Sequence, residues 1–356
     1  MHYFCNPITN DEPMRLRTAA LLLFVLCTIS LNAQTNDSVS TDAERNFFMR
    51  YFLKLEDLLD LRDMNKNYDT LYISRAPKGL KLRLSLKTYG SDIYIKGVHQ
   101  DYTYRAELEA KNKYTLSLCA NYRGLALALA LNPAKWTGWN KDFEVTLNAY
   151  GNKIGADLVY QTANTFKGDI TISSDDVPLT TASMGVVSQD LLIVNAYYVF
   201  NGKKFSYPAA FGQTWLQRRS AGSWMIGATL FDRKLSIGEI EELDSEPFHF
   251  DSFCIGIGAG YAHNFVLRKG WMLHFSVLPE IVVRNRSHIT VSDERSTMKT
   301  RFPEFINVAR MSATRHFGKY FAGLNSVIHF SNVGDRDILQ IENLKWQAFL
   351  FFGFQL

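Results

Sequence analysis

Three polar side chains on one short run have the residue types of an acyl-transfer site. His274, Ser276 and Glu280 fall within a single strand-like stretch, and His274 and Ser276 share a face at i, i+2. A histidine beside a serine activates the hydroxyl as a nucleophile once the two are within hydrogen-bond reach. On an extended chain their backbones stand about 7 Å apart, so this spacing makes direct pairing awkward. His316 and His329, with Asn325 and Ser326, form a second polar group. Histidines that line a polar lumen produce the same pattern without catalysis, and no catalytic residue is assigned on this basis.

Other chemistries find less support. No His-Glu-x-x-His, Gly-x-Ser-x-Gly, P-loop or dinucleotide fingerprint occurs. Gly256, Gly258 and Gly260 alternate with Ile257 and Ala259 inside a strand-like run, which marks small lumen-facing positions or a bend in a sheet. Asp169, Asp175 and Asp176 have the look of a calcium loop, but a solvated acidic turn explains them as well. Cys119 and Cys254 lie far apart and in no metal or redox spacing, so two free thiols are as good a reading as a disulfide. The expectation is no metal and no cofactor. The segment Lys203–Ser223 mixes cations, aromatics and small residues. Two readings of it stand: a lumen insert, with Arg218 and Arg219 narrowing a pore or meeting an anionic solute or headgroup, or a structural element with Lys203 and Lys204 solvated at a rim.

The elements that must position these residues are strands. Leu344, Trp346, Ala348, Leu350, Phe352, Phe354 and Leu356 share one face of the last thirteen residues, and Lys345, Gln347 and Gln355 lie on the other. A strand of this kind at the end of a chain is how outer-membrane barrels finish. From about Leu80 the period is 2: Tyr102–Leu108, Tyr114–Ala120, Leu125–Leu131, Phe143–Ala149, Ile154–Tyr160, Leu191–Val199, Trp224–Leu230 and Phe253–Tyr261 all alternate. Counted back from the C-terminus, the connections Asn332–Asn343, Arg284–Glu304 and Asp232–Asp251 are long and fall outside the cell. His316–Lys319 and Val266–Gly270 are short and periplasmic. All six Trp sit at run ends, as rings at headgroup level do. The fold expected is an all-β, transmembrane, antiparallel up-and-down barrel of about 12 strands, with 10 to 16 allowed.

Upstream, Arg15 and Arg17 precede a short apolar run ending in Asn-Ala-Gln, which reads as a signal peptide over 1–33, with Met14 as the true start. Residues 34–66 hold a polar tail and an amphipathic helix, opened by a Thr41–Glu44 capping box and carrying apolar positions from Phe47 to Leu59. The barrel then occupies 67–356. The net charge of +4 with no basic run argues against nucleic acid.

Phe205-Ser-Tyr-Pro-Ala-Ala-Phe, Gln217-Arg-Arg-Ser-Ala-Gly-Ser, Asp69-Thr-Leu-Tyr-Ile and the Gly-rich run Gly256–Tyr261 resemble the bacterial outer-membrane family called domain of unknown function 4421. The resemblance spans roughly Tyr68 to Leu356. It implies an exported, barrel-forming protein and supplies no catalytic residues. The expected function is therefore an outer-membrane barrel: a narrow or plugged channel, or a structural or assembly component of the envelope. The alternative is a lipid-modifying barrel enzyme. Its expected partners are outer-membrane lipid, the barrel-assembly machinery during biogenesis and an undefined envelope protein, with the barrel itself a monomer.

Overall fold

The computed structural model describes residues 68–356 apart from 77–79, 100, 111–112, 123–124, 132–142, 176, 186, 244, 292–293, 299–302 and 336–337. The leader assigned to 1–33, the tail and helix assigned to 34–66, Trp136 and Trp139 lie outside the described residues. The strands are β1 (Ile73–Arg75), β2 (Lys81–His99), β3 (Tyr102–Ala110), β4 (Lys113–Tyr122), β5 (Leu125–Leu131), β6 (Phe143–Tyr150), β7 (Ile154–Ser174), β8 (Val177–Ser183), β9 (Val187–Val199), β10 (Trp215–Gln217), β11 (Ala221–Ile237), β12 (Phe248–Val266), β13 (Trp271–Val291), β14 (Glu294–Thr297), β15 (Phe305–Phe317), β16 (Tyr320–Asp335) and β17 (Leu339–Gln355). One short helix, α1 (Tyr207–Phe211), lies between β9 and β10.

Every ladder is antiparallel, and the sheet closes on itself. β17 pairs with β2 along its whole length, from Leu339 opposite Gly97 to Gln355 opposite Lys81. The ring runs β17-β16-β15-β13-β12-β11-β9-β7-β3-β2 and back to β17. Closure removes the free edges that an open sheet would expose. β3 and β4 lie end to end against β2, and β8 and β9 end to end against β7.

Closure thus takes ten strands rather than about twelve. Two of the alternating runs do not join the ring as full strands: β5 pairs with β4, and β6 pairs with the Gly155–Thr162 half of β7. Among the described residues no ladder joins β5 to β6. They fill a half-height gap between β4 and β7 near the rim where the chain ends. Period-2 patterning marks a strand but carries no information about its neighbours or its height. The long connections also prove to be mostly ladder. Arg284–Glu304 contains the end of β13 and all of β14, and Asp232–Asp251 contains paired residues of β11 and β12. These hairpins are polar because they project past the apolar part of the wall.

That apolar part is a band. On β13 the outward residues Trp271, Leu273, Phe275, Ile281 and Val283 are exposed and apolar, and past them come exposed Arg284 and Arg286. On β11, Trp224 and Ile226 give way to Asp232 and Lys234. Twelve steps from Trp271 to Val283, at about 3.3 Å each on a strand tilted about 40°, make a belt of about 30 Å. The inward face is the polar one, with Lys87, Asp157, Asn195, His274, Glu280, Arg310, His329 and Lys345 all buried. Such a barrel is inverted relative to a water-soluble protein. β12 bends close to β13 at a register shift beside Gly256. A Cβ on Gly258 would stand 2.0 Å from the Pro279 carbonyl oxygen, and one on Gly260 2.0 Å from that of Val277. Only glycine permits this approach, so the run has a packing cause.

Candidate functional site

The lumen is an enclosed polar space, and the segment between β9 and β11 enters it. Phe205, Tyr207, Ala209 and Ala210 are 0% exposed and Phe211 5%. Ser206 caps α1 by accepting a hydrogen bond from the Ala209 amide at 3.3 Å, and Pro208 sits in the first turn, where its missing N–H costs nothing. One helical turn is too short to show a 3.6 period, so no helix after Asp60 is legible as periodicity. A Ser-x-Pro start was the available signal.

A buried helix end leaves carbonyls without partners, and here the barrel wall supplies them. Arg83 donates to the Phe211 carbonyl at 3.1 Å and Ser312 to that of Ala210 at 3.0 Å. Lys81 donates to the Gln213 carbonyl. Gln217 locks the other side: its Oε1 accepts from the Ser206 amide (3.0 Å) and Asn264 Nδ2 (2.9 Å), and its Nε2 donates to the Lys204 carbonyl (2.6 Å). β1 pairs with β10, and Tyr68 meets Trp215 edge-to-face at 4.9 Å, so residues 68–75 and 205–217 form one plug. Trp215 is accordingly a buried plug residue and not part of an interfacial belt.

Lys203, Lys204, Arg218 and Arg219 stay exposed at the mouth. Lys204 stands 4.9 Å and Arg219 6.0 Å from the centre of the Tyr72 ring, and Arg218 Nε donates to Ser74 Oγ at 3.0 Å. The segment does fold into the lumen, but its small and aromatic residues enter and its cations do not. Burial explains the division: a cation leaves water only against a matching partner.

Above the plug lie two ion networks. Arg310, fully buried, pairs with Asp157 and donates to Asn195 Oδ1 at 2.8 Å, with the Tyr197 ring 5.2 Å away. Asn195 donates in turn to Thr229 (2.7 Å) and Glu280 (3.3 Å). Glu144 of β6 takes both Lys87 and Lys345, the latter at 2.9 Å, and Lys345 also donates to Gln161 at 2.6 Å. Beyond them Ile93, Leu108, Phe166, Val187, Leu235, Phe250 and Ile341 pack into an apolar cluster at the far end. Buried side chains thus occupy the lumen both at the plug and at the far cluster.

The histidine–serine pair corrects the spacing estimate. His274 Nε2 and Ser276 Oγ are 3.1 Å apart, since the side chains lean together where the backbones cannot. His274 Nδ1 meets Asn264 Oδ1 at 2.7 Å, and Tyr207 Oη meets Ser276 Oγ at 2.6 Å. Serine, histidine and amide thus stand in the order nucleophile, base, orienter. All three are buried, and the plug tyrosine occupies the serine's open side. The sequence marks Tyr207 only as a member of the Phe205–Phe211 run and does not mark Asn264, although Asn264 shares the inward parity of Ser252 and Cys254 on β12. His316 stacks loosely on Phe321 at 5.9 Å, and His329 is buried on β16 with both ring nitrogens unpartnered, so the two are not brought together. Asp169 lies in the β7 ladder opposite Glu107 and Ser183, not in a loop with Asp175. Asp176 lies outside the described residues. Cys119 and Cys254 are both free and buried.

The model of a family described as a domain of unknown function (DUF4421) matches residues 67–355. The chain belongs to that family. No curated protein matches it. Among solved structures, the outer membrane protease OmpT from Escherichia coli is 8% identical over 80% of this chain and 98% of its own, with a TM-score of 0.45. The outer membrane protein OprG from Pseudomonas aeruginosa is 9% identical over 78% and 96%, with a TM-score of 0.28. The P. putida toluene transporter TodX is 10% identical over 79% and 91%, with a TM-score of 0.24.

Proposed function

We propose that this protein is an outer-membrane barrel plugged at rest, serving the envelope as a structural or assembly component whose lumen conducts only if the plug is displaced. The observation that carries the reading is the plug: Phe205–Phe211 is buried inside the wall, and the carbonyls at its end are held by Lys81, Arg83 and Ser312. The apolar belt over a polar interior supports the membrane placement, because that inversion is stable only in an apolar solvent. With ten strands joined into a ring by antiparallel ladders, a monomer satisfies most of its own backbone. Assembly machinery would act during insertion. Lys203, Lys204, Arg218 and Arg219, all exposed, face the side on which anionic headgroups or an envelope protein would be met. Planar-bilayer recording tests the proposal: the intact protein should be silent, and deletion of 205–213 should give discrete conductance steps. Open-pore conductance by the intact chain would overturn it.

A second reading, a lipid-modifying enzyme, is favoured by the Ser276–His274–Asn264 chain of hydrogen bonds. It requires Tyr207 to leave Ser276 first. The envelope lipid profile of a strain carrying Ser276→Ala decides it, with an unchanged profile sinking the idea.

A further inference from the structure

The side chains inside the barrel lie in layers, and one layer holds a buried cation with no ion-pair or hydrogen-bond partner. Along β11 the inward residues run Met225, Thr229, Phe231, Arg233, Leu235, and along β9 they run Tyr197, Asn195, Ile193, Leu191, Gln189, Val187. Arg233 and Gln189 therefore stand between the apolar group that contains Leu191, Phe231 and Cys254 and the far cluster that contains Leu235 and Phe250. Arg233 is 0% exposed, and its Nε, Nη1 and Nη2 all lack an acceptor. Leu191 is its cross-strand partner on β9, which makes Gln189 its diagonal neighbour on the same face. Gln189 Nε2 is also without an acceptor, while its Oε1 accepts from Asn343 across the lumen at 3.3 Å. Ser331, opposite Asn343 in the β16–β17 register, has a buried hydroxyl without a partner.

The Arg233 guanidinium and Gln189 Nε2 are thus buried donors without acceptors. A guanidinium cannot escape the cost of burial by losing its proton. The rings of Phe231 and Phe250, 5.5 and 5.3 Å from Cζ, offset only part of that cost. Every other fully buried cation named above has its anion: Arg310 has Asp157, and Lys345 has Glu144. We infer that this layer is a binding site for a small monovalent anion of the halide class, held by Arg233 with Gln189 as second donor. Apolar layers above and below exclude larger solutes and strengthen the charge-assisted bonds. The inference is independent of whether the plug gates a pore.

The test uses the full-length protein in detergent, with chloride, bromide or gluconate as sodium salts at equal ionic strength, so that screening is constant. Chloride and bromide should raise the thermal unfolding midpoint above its value in gluconate, because a ligand bound only by the folded state stabilises it. Crystals grown in bromide should show an anomalous peak within hydrogen-bond distance of the Arg233 guanidinium. Arg233→Met should abolish both effects. If that variant does not fold, Gln189→Leu, which keeps the guanidinium, should raise several-fold the chloride concentration needed for half the stabilisation. Equal midpoints in the three salts and no bromide peak would show that water alone fills the layer and would overturn the inference.

Discussion

At the scale of single residues, two networks of paired charges organise the middle of the barrel. Glu144 stands between Lys87 and Lys345, with side-chain exposures of 4%, 10% and 1%. Replacing Lys345 with Met leaves Glu144 one cation in place of two and strips Gln161 of its donor. Breaking a buried pair by removing one partner costs about 3–5 kcal/mol. The surviving Lys87 should hold the loss for Lys345→Met toward the lower end of that range, measured as a lower urea midpoint in the heat-modifiability shift on gels. The same residues show what spacing alone leaves open. Lys345 was legible as the polar face of the last strand, but Glu144 lies two hundred residues away, and nothing in the linear order joins them.

At the scale of elements, the close contact between β12 and β13 and the capped one-turn helix do what the alternating pattern cannot. Gly258→Val would drive a branched side chain into the Pro279 carbonyl, 2.0 Å from where its Cβ must lie. The expected result is loss of the folded, heat-modifiable band, whereas Ala259→Val, on the outward-facing side of β12, should fold normally. β14 lay inside a stretch read as a connection, whereas the existence and alternating direction of β11, β12, β13, β15, β16 and β17 were readable from hydrophobic periodicity and the order of the connections. The half-height of β5 and β6 was not, because a seven-residue alternating run looks the same whether it spans the wall or fills a gap in it. The plug was visible as an anomaly, a stretch with neither period. Which of its residues enter the lumen depends on partners such as Lys81, Arg83 and Ser312, drawn from distant strands.

At the scale of the whole molecule, the belt makes a prediction that distinguishes lipid from water as the surrounding solvent. Leu350 is 60% exposed on the outer face of β17, within the belt, and Ser236 lies on β11 beyond it. An arginine near the bilayer midplane costs about 2–4 kcal/mol, and one near or beyond the interface about 0–1. Leu350→Arg should therefore lower the unfolding free energy in lipid vesicles by about 2–4 kcal/mol and Ser236→Arg by at most about 1. Equal, small effects at both sites would place the wall in water.

The sequence by itself determined the class of this protein. Two-residue alternation with apolar outward positions and polar inward ones marks an all-β wall with two unlike faces, and the structure shows that wall closed on itself. It also determined that the last strands alternate in direction, since short turns and long hairpins sort themselves from the C-terminus. The tertiary structure alone decided the number of strands that close the ring, the His274–Ser276 contact, the plug's anchors and the solitary charge of Arg233. Each depends on which residues meet across the lumen, and a period of two states which face a side chain takes but not what stands opposite.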